Sequence, residues 1–174
     1  QFQYLSIEAN IDLAAFKEIS QLQEFAAQER GVISKIFLSS VVDPYDFELF
    51  NSLIVFQNNS IRNIEFLLKN HPIKNDFTAI NTLYSSNNFI DFRDNISDFN
   101  FDNNSNNTLN KKELNQWTLT SHARSNDFNL IKTTLIERIE STIVDSLSQT
   151  QRDFNFLIFI TVMTLFLLLV GAFY

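Results

Sequence analysis

The stretch LQEFAAQERGVISKIF, residues 22–37, decides how the chain folds. Its apolar residues follow the three-and-four spacing of a helix face that packs on other helices; they are Leu22, Ala26, Ile33 and Ile36. Glu29 occupies the slot between Ala26 and Ile33, and Arg30 follows it. A carboxylate on a core stripe is costly unless it is paired or hydrated. Small residues surround the pair, and they leave room for a partner helix or a small ligand.

Composition predicts an all-α protein. Among 174 residues there are only two glycines and two prolines, whereas a β-rich chain needs many turns. The length allows one antiparallel helical bundle and a membrane segment. The net charge of -7 argues against nucleic-acid binding. There is no cysteine, and His71 and His122 lie far apart, so we predict ordinary surface or helix-end histidines, no metal site and no cofactor.

Start and stop signals divide the chain into helices. Helix one should cover residues 2–39, and Asp43-Pro44 opens helix two. His71-Pro72 ends helix two and starts a third, which should break at 85–88 before a further piece at 89–99. After a loop at 100–108, Asn110 should cap a last helix, supported by a capping box and a hydrophobic staple from Glu113, Leu109 and Leu114.

Helix two carries a polar residue on its own stripe. The predicted stripe is Phe47, Phe50, Ile54, Gln57, Ile61, Ile64 and Leu68. If helices one and two form an antiparallel hairpin about Val41, Glu29 and Gln57 should lie within roughly 6 Å of each other along the axis. The sequence therefore predicts a shared polar level.

The C-terminal stretch predicts a membrane span. Residues 154–174 contain no charged residue and are rich in Leu, Phe and Ile, over the ~20 residues that a bilayer requires. We therefore divide the chain into a helical domain, residues 1–153, and a transmembrane helix, residues 154–174. Because the chain starts at Gln1 and stops directly after an apolar run, we expect it to be a portion of a longer protein.

Two segments carry a resemblance to a known family. KEISQLQEFAAQERGVISKIFLSS, residues 17–40, and DPYDFELFNSLIVFQNNSIRNIEFL, residues 43–67, resemble the nitrate- and nitrite-sensing (NIT) domain of bacterial receptors. The features that match in order and spacing are Lys17-Glu18, Glu29-Arg30-Gly31, Asp43-Pro44 and Gln57. The run FRDNI around Arg93 and the run from Trp117 through Arg124 to Glu140 are similar to later family segments. The family's first membrane helix and much of its first bundle are missing, and His122 stands where a Thr is expected.

The resemblance implies a receptor. Such a domain is an extracytoplasmic, periplasmic bundle in the bacterial inner membrane, usually a homodimer, that senses a small anion such as nitrate or nitrite. It passes the signal through its second membrane helix, here 154–174, to a chemotaxis signalling region, a kinase or a nucleotide cyclase. No nucleophile elbow, phosphate loop or metal spacing suggests an enzyme.

Arginine is the side chain best suited to a planar oxyanion. Arg30, held by Glu29, is the first candidate; Arg124 is the second because it continues an apolar stripe; Arg93 is the third, on the resemblance, and Gln57 completes the set. The alternative is a structural ion pair between Glu29 and an Arg or Lys of a neighbouring helix. At the level of function, the alternative is a membrane-anchored structural protein that oligomerises, in which polar residues of the stripe set helix register.

Overall fold

The computed structural model describes residues 7–39, 43–84, 87–97 and 111–172. It contains five helices in this range and no strand: α1 (Ile7–Ser39), α2 (Pro44–Leu67), α3 (Lys74–Tyr84), α4 (Asn87–Ser97) and α5 (Lys111–Ala172). The predicted all-α class is confirmed. The expected start of helix one at residue 2, the loop at 100–108 and the cap at Asn110 lie outside the described residues.

The start of α2 follows its sequence signal. Asp43 is the N-cap, and its side chain accepts a hydrogen bond from the Tyr45 backbone N–H at 2.9 Å, while Pro44 occupies the first turn. At the other end, α2 ends at Leu67, earlier than the predicted stop at His71-Pro72, and α3 begins at Lys74, two residues later than the proline. α4 begins at Asn87, earlier than the predicted 89.

Side-chain contacts show that α1 runs antiparallel to both α2 and α5. Toward α2, Lys35 bonds Asp46 and Glu18 bonds Asn63, so residue numbers fall on one helix as they rise on the other. Toward α5, Arg30 bonds Ser121 and Lys132 bonds Gln23, which is again an opposite run of residue numbers. The 2.7 Å contact with Asp46 raises the pKa of Lys35 above its ordinary value.

The buried stripe of α2 differs from the predicted one. Asp46, Leu53 and Ser60 are buried, whereas the prediction placed Phe47, Ile54 and Ile61 there; those three side chains are only partly buried. The two stripes share Phe50, Gln57 and Ile64. At the other three positions, the buried residue is the one directly before the residue that was predicted. Hydrophobicity alone favours the isoleucines, but Asp46 is buried where it bonds Lys35 of α1, and Ser60 is buried on the same stripe.

Apolar side chains form two separate buried clusters. The first lies between α1, α2, α3 and α5 and contains Ala15, Ile19, Leu22, Ile64, Leu68, Ile73, Phe77, Phe128, Ile131 and Leu135. The second lies between α1, α2, α4 and α5 and contains Val32, Ile33, Ile36, Phe50, Leu53, Phe92, Ile96 and Trp117. Apart from Ala26, the buried positions between these clusters on α1, α2 and α5 are polar.

α5 is a single helix of 62 residues, ~93 Å long at the usual rise per residue. It is the one helix in the described part of the chain with the length and apolar composition needed to cross a membrane. We call residues 154–174 the apolar stretch. Every side chain from 154 to 169 is exposed, so the described helices do not bury this part of it. A core helix of a water-soluble protein would instead be covered.

Candidate functional site

The antiparallel packing of α1 and α2 places Glu29 directly against Gln57. The Gln57 Nε2 group donates a hydrogen bond to Glu29 Oε2 at 2.7 Å. Glu29 retains 1% of its accessible surface and Gln57 retains none. The predicted shared polar level of the hairpin is therefore confirmed.

Arg93 of α4 pairs with Glu29 through two parallel hydrogen bonds. Its Nε donates to Glu29 Oε1 and its Nη2 to Oε2, both at 2.6 Å, and Nη2 also donates to Gln57 Oε1 at 3.0 Å. This two-point geometry is the strongest form of a carboxylate–guanidinium pair. Because the Arg93 side chain is only 13% exposed, little water competes for its donors.

Arg124 of α5 joins the same group from the opposite side. Its Nη1 donates to Gln57 Oε1 at 3.1 Å, and the residue is 4% exposed. The guanidinium carbon lies 5.4 Å from the centre of the Phe128 ring, within the range of a cation–π interaction. α5 therefore contributes a buried charge to the same level as α1, α2 and α4.

We refer to Glu29, Gln57, Arg93 and Arg124 as the polar layer. These four side chains come from four helices and separate the two apolar clusters. One is a carboxylate and two are guanidinium groups, and the Gln57 carbonyl oxygen is the acceptor on which both arginines converge. Chemically, the layer offers fixed planar donors in a site that is poor in water.

Arg30, the first candidate from the sequence, lies outside the polar layer. Its Nη1 donates to the backbone carbonyl of Ser121 at 3.3 Å and to the Ser121 hydroxyl at 3.2 Å. The expectation that Glu29 holds Arg30 is therefore wrong, and Glu29 pairs with an arginine of a neighbouring helix, as the alternative predicted. Adjacent residues on a helix point about 100° apart, so a buried Glu29 directs Arg30 toward α5 instead.

Sequence reasoning missed a second buried charged group. Asp12 is fully buried and lies 2.7 Å from His71 and 3.4 Å from Arg138. The prediction of an ordinary surface or helix-end histidine is wrong for His71, whose side chain is 7% exposed. A signal was present: Asp12 continues the three-and-four spacing that leads through Leu22 to Glu29.

A groove of about 290 Å³ lies at the α2–α3 corner, away from the polar layer. Its charged residues, Glu65, Lys69 and Lys74, are all exposed, so the groove is not a desolvated binding site. Within the described ranges, no group of three or more His, Cys, Asp or Glu side chains is placed to hold a metal ion.

Comparisons with protein-family models, curated proteins and solved structures find no significant match to this chain. The resemblance to the NIT domain therefore stays a prediction. Of the five candidate ligand-binding residues, four form the polar layer and Arg30 stands beside it.

Proposed function

We propose that the chain is the ligand-sensing part of a bacterial inner-membrane receptor. Residues 1–153 form the periplasmic sensor domain of a homodimer, and residues 154–174 cross the membrane. The observation that supports this most is that Arg124, a member of the polar layer, and the apolar stretch belong to one helix. About 30 residues separate Arg124 from Phe154, roughly 45 Å of helix without glycine or proline. A displacement of α5 at the polar layer would reach the membrane without an intervening hinge.

The two guanidinium groups of the polar layer favour a small planar anion as the ligand. The resemblance to the NIT domain implies nitrate or nitrite. In the polar layer, the Gln57 carbonyl oxygen accepts from both Arg93 and Arg124. An oxyanion that takes over these two donors would add charge on the acceptor side, so the attraction to both guanidinium groups would be stronger than that of a neutral amide oxygen. It would also replace the link from α2 to α5 with a link through the ligand, and this change would shift α5.

Calorimetry of the full chain in lipid nanodiscs tests this function. Nitrate, nitrite and acetate are titrated separately in chloride-free buffer, and at least one should give saturable heat. Arg124→Gln should abolish that heat, whereas Arg62→Gln, the same change at an exposed position of α2, should retain it. No saturable heat with any of the anions, or equal heat from Arg124→Gln and wild type, contradicts the proposal.

The membrane span has its own test. Wild-type chain expressed in bacteria should stay in the membrane pellet after alkaline carbonate extraction. Leu165→Arg, near the middle of the apolar stretch, should release a large fraction, because a central arginine costs ~2.5–3.5 kcal/mol on insertion. Complete release of the wild type would show that α5 does not span the membrane.

A second candidate function is that of a membrane-anchored structural protein that oligomerises without a small ligand. It is favoured by the mutual bonding in the polar layer, where Glu29 accepts three bonds and Gln57 uses both ends of its amide. Such buried polar contacts can fix helix register by themselves. Analytical ultracentrifugation in detergent distinguishes the two: an oligomer that dissociates in Glu29→Gln, together with silent calorimetry, supports the structural role.

A further inference from the structure

The second buried charged group joins three parts of the fold. Asp12 comes from α1, His71 from the turn between α2 and α3, and Arg138 from α5; we call these residues the Asp12 cluster. The side chains of Asp12 and His71 are 1% and 7% exposed, and that of Arg138 is 31% exposed. The cluster therefore has a buried pair and one partner that reaches solvent.

His71 and Arg138 approach the same oxygen of Asp12. His71 Nε2 lies 2.7 Å from Asp12 Oδ1, and Arg138 Nε donates to that same Oδ1 at 3.4 Å. The other oxygen, Oδ2, is buried without a hydrogen-bond partner among the described residues. The carboxylate is thus shared unequally, and Arg138 holds the longer and weaker contact.

The contacts of the His71 ring differ in strength between its neutral and its protonated form. Its Nδ1 accepts from the Ile73 backbone N–H at 3.4 Å, which requires an unprotonated Nδ1. The close Nε2–Oδ1 contact is not directed as a hydrogen bond, so it acts mainly through charge and strengthens when the ring is protonated. Imidazole is the side chain that ordinarily changes charge between about pH 5 and 8.

We propose that the Asp12 cluster is a proton-sensitive latch that frees Arg138 of α5 from Asp12 of α1. Protonation of His71 gives Asp12 a charged partner at 2.7 Å. The protonated ring also lies close to the guanidinium group of Arg138 and repels it. Because Arg138 is partly exposed, its guanidinium can move into water at little cost. At low pH the Asp12–Arg138 contact opens while the other contacts between α1 and α5 persist, and at higher pH Arg138 returns to Asp12.

Among the residues that the structure describes, the one ion pair of His71 is with Asp12. α1 presents Asp12 and α5 presents Arg138, while Lys69 and Lys74, on either side of His71 in sequence, are exposed and form no ion pair with it in the described structure. The latch therefore depends on one histidine and one shared carboxylate. On α5, Arg138 lies between Arg124 of the polar layer and the apolar stretch. The latch therefore acts on the part of α5 that connects the two.

Site-directed spin labelling tests the latch. The chain has no cysteine, so Ser141→Cys places a single nitroxide at an exposed position on α5 next to Arg138. The labelled full chain is studied in nanodiscs between about pH 5 and 8. We expect the rotational correlation time of the label to fall roughly twofold at the acid end, as α5 loosens locally.

The two histidines provide a matched pair of variants. His71→Gln keeps a side chain of similar polarity that cannot be protonated, and it should remove the pH dependence of the label. His122→Gln makes the same change at an exposed position of α5 and should leave the dependence intact. A flat wild-type profile, a His71→Gln profile equal to the wild type, or a profile lost in His122→Gln would each overturn the latch.

Asp12→Asn provides a second check on the shared carboxylate. It keeps the shape of the side chain but removes the charge for which His71 and Arg138 compete. The label should then be mobile at both ends of the pH range. A variant that stays immobile at high pH would show that Arg138 is held by something other than Asp12, and would overturn the mechanism.

Discussion

Replacing Glu29 with glutamine removes the carboxylate of the polar layer and keeps the size of the side chain. In the wild type this carboxylate accepts two bonds from Arg93 at 2.6 Å and one from Gln57 at 2.7 Å. Each charge-assisted bond contributes ~1.5–3 kcal/mol. Because the variant leaves a buried guanidinium without its counter-charge, we expect the free energy of unfolding to fall by ~3–5 kcal/mol.

Urea unfolding of the full chain in detergent micelles measures this loss. Fluorescence of Trp117, the single tryptophan, reports on the transition because its ring stacks on Phe92 of α4 at 5.3 Å between centroids. The matched control is Glu24→Gln, an exposed glutamate that accepts a bond from Gln28 one turn later. That change should stay within ~0.5 kcal/mol of the wild type.

The outcome separates a stabilising ion pair from a solvated one. A loss smaller than about 1 kcal/mol for Glu29→Gln would refute the conclusion that the Glu29–Arg93 pair is buried and well bonded. The double variant Glu29→Gln/Arg93→Gln removes both charges, so it should lose less stability than the sum of the two single variants. An additive double variant would mean that the two residues do not interact.

Three further changes test the polar layer, the apolar core and the Lys35–Asp46 ion pair. Gln57→Leu should cost ~1–3 kcal/mol in urea unfolding, because the buried groups that it bonds lose a partner. Leu22→Ala, at a fully buried position, should cost ~2–5 kcal/mol, whereas the exposed Leu130→Ala should change little. Asp46 raises the pKa of Lys35 above its ordinary 10.5, so the stability from this pair is present below pH 10.5 and lost as the pH rises through the higher folded value. In alkaline unfolding titrations, Lys35→Gln should therefore lose less stability than the wild type.

Local signals located the described helices to within a few residues of their observed ends. The Asp43-Pro44 start, the His71-Pro72 stop and the scarcity of glycine act within one or two turns of backbone, so they can be read without tertiary information. The predicted stripe of α2 was wrong at three positions, because two interlocking stripes differ there by one residue and hydrophobicity favours the one that is less buried.

The position of the polar layer was also available from the sequence. Glu29 and Gln57 each interrupt an apolar stripe, and a hairpin of known rise per residue brings them to one level. The identity of the partner of Glu29 was not available. Arg30 is adjacent in sequence and Arg93 is far away, yet helix rotation directs Arg30 toward Ser121 and leaves Glu29 facing α4.

The sequence by itself determined the helical class, the exposed apolar stretch of α5 and the two polar positions that interrupt the stripes, because helix periodicity and composition are local properties. Only the tertiary structure decided which charges meet. Arg93 and Arg124 converge on Gln57, and Asp12 meets His71 and Arg138, across separations of up to 126 residues. Such pairings depend on the rotation and level of whole helices against one another, and no local pattern of residues encodes them.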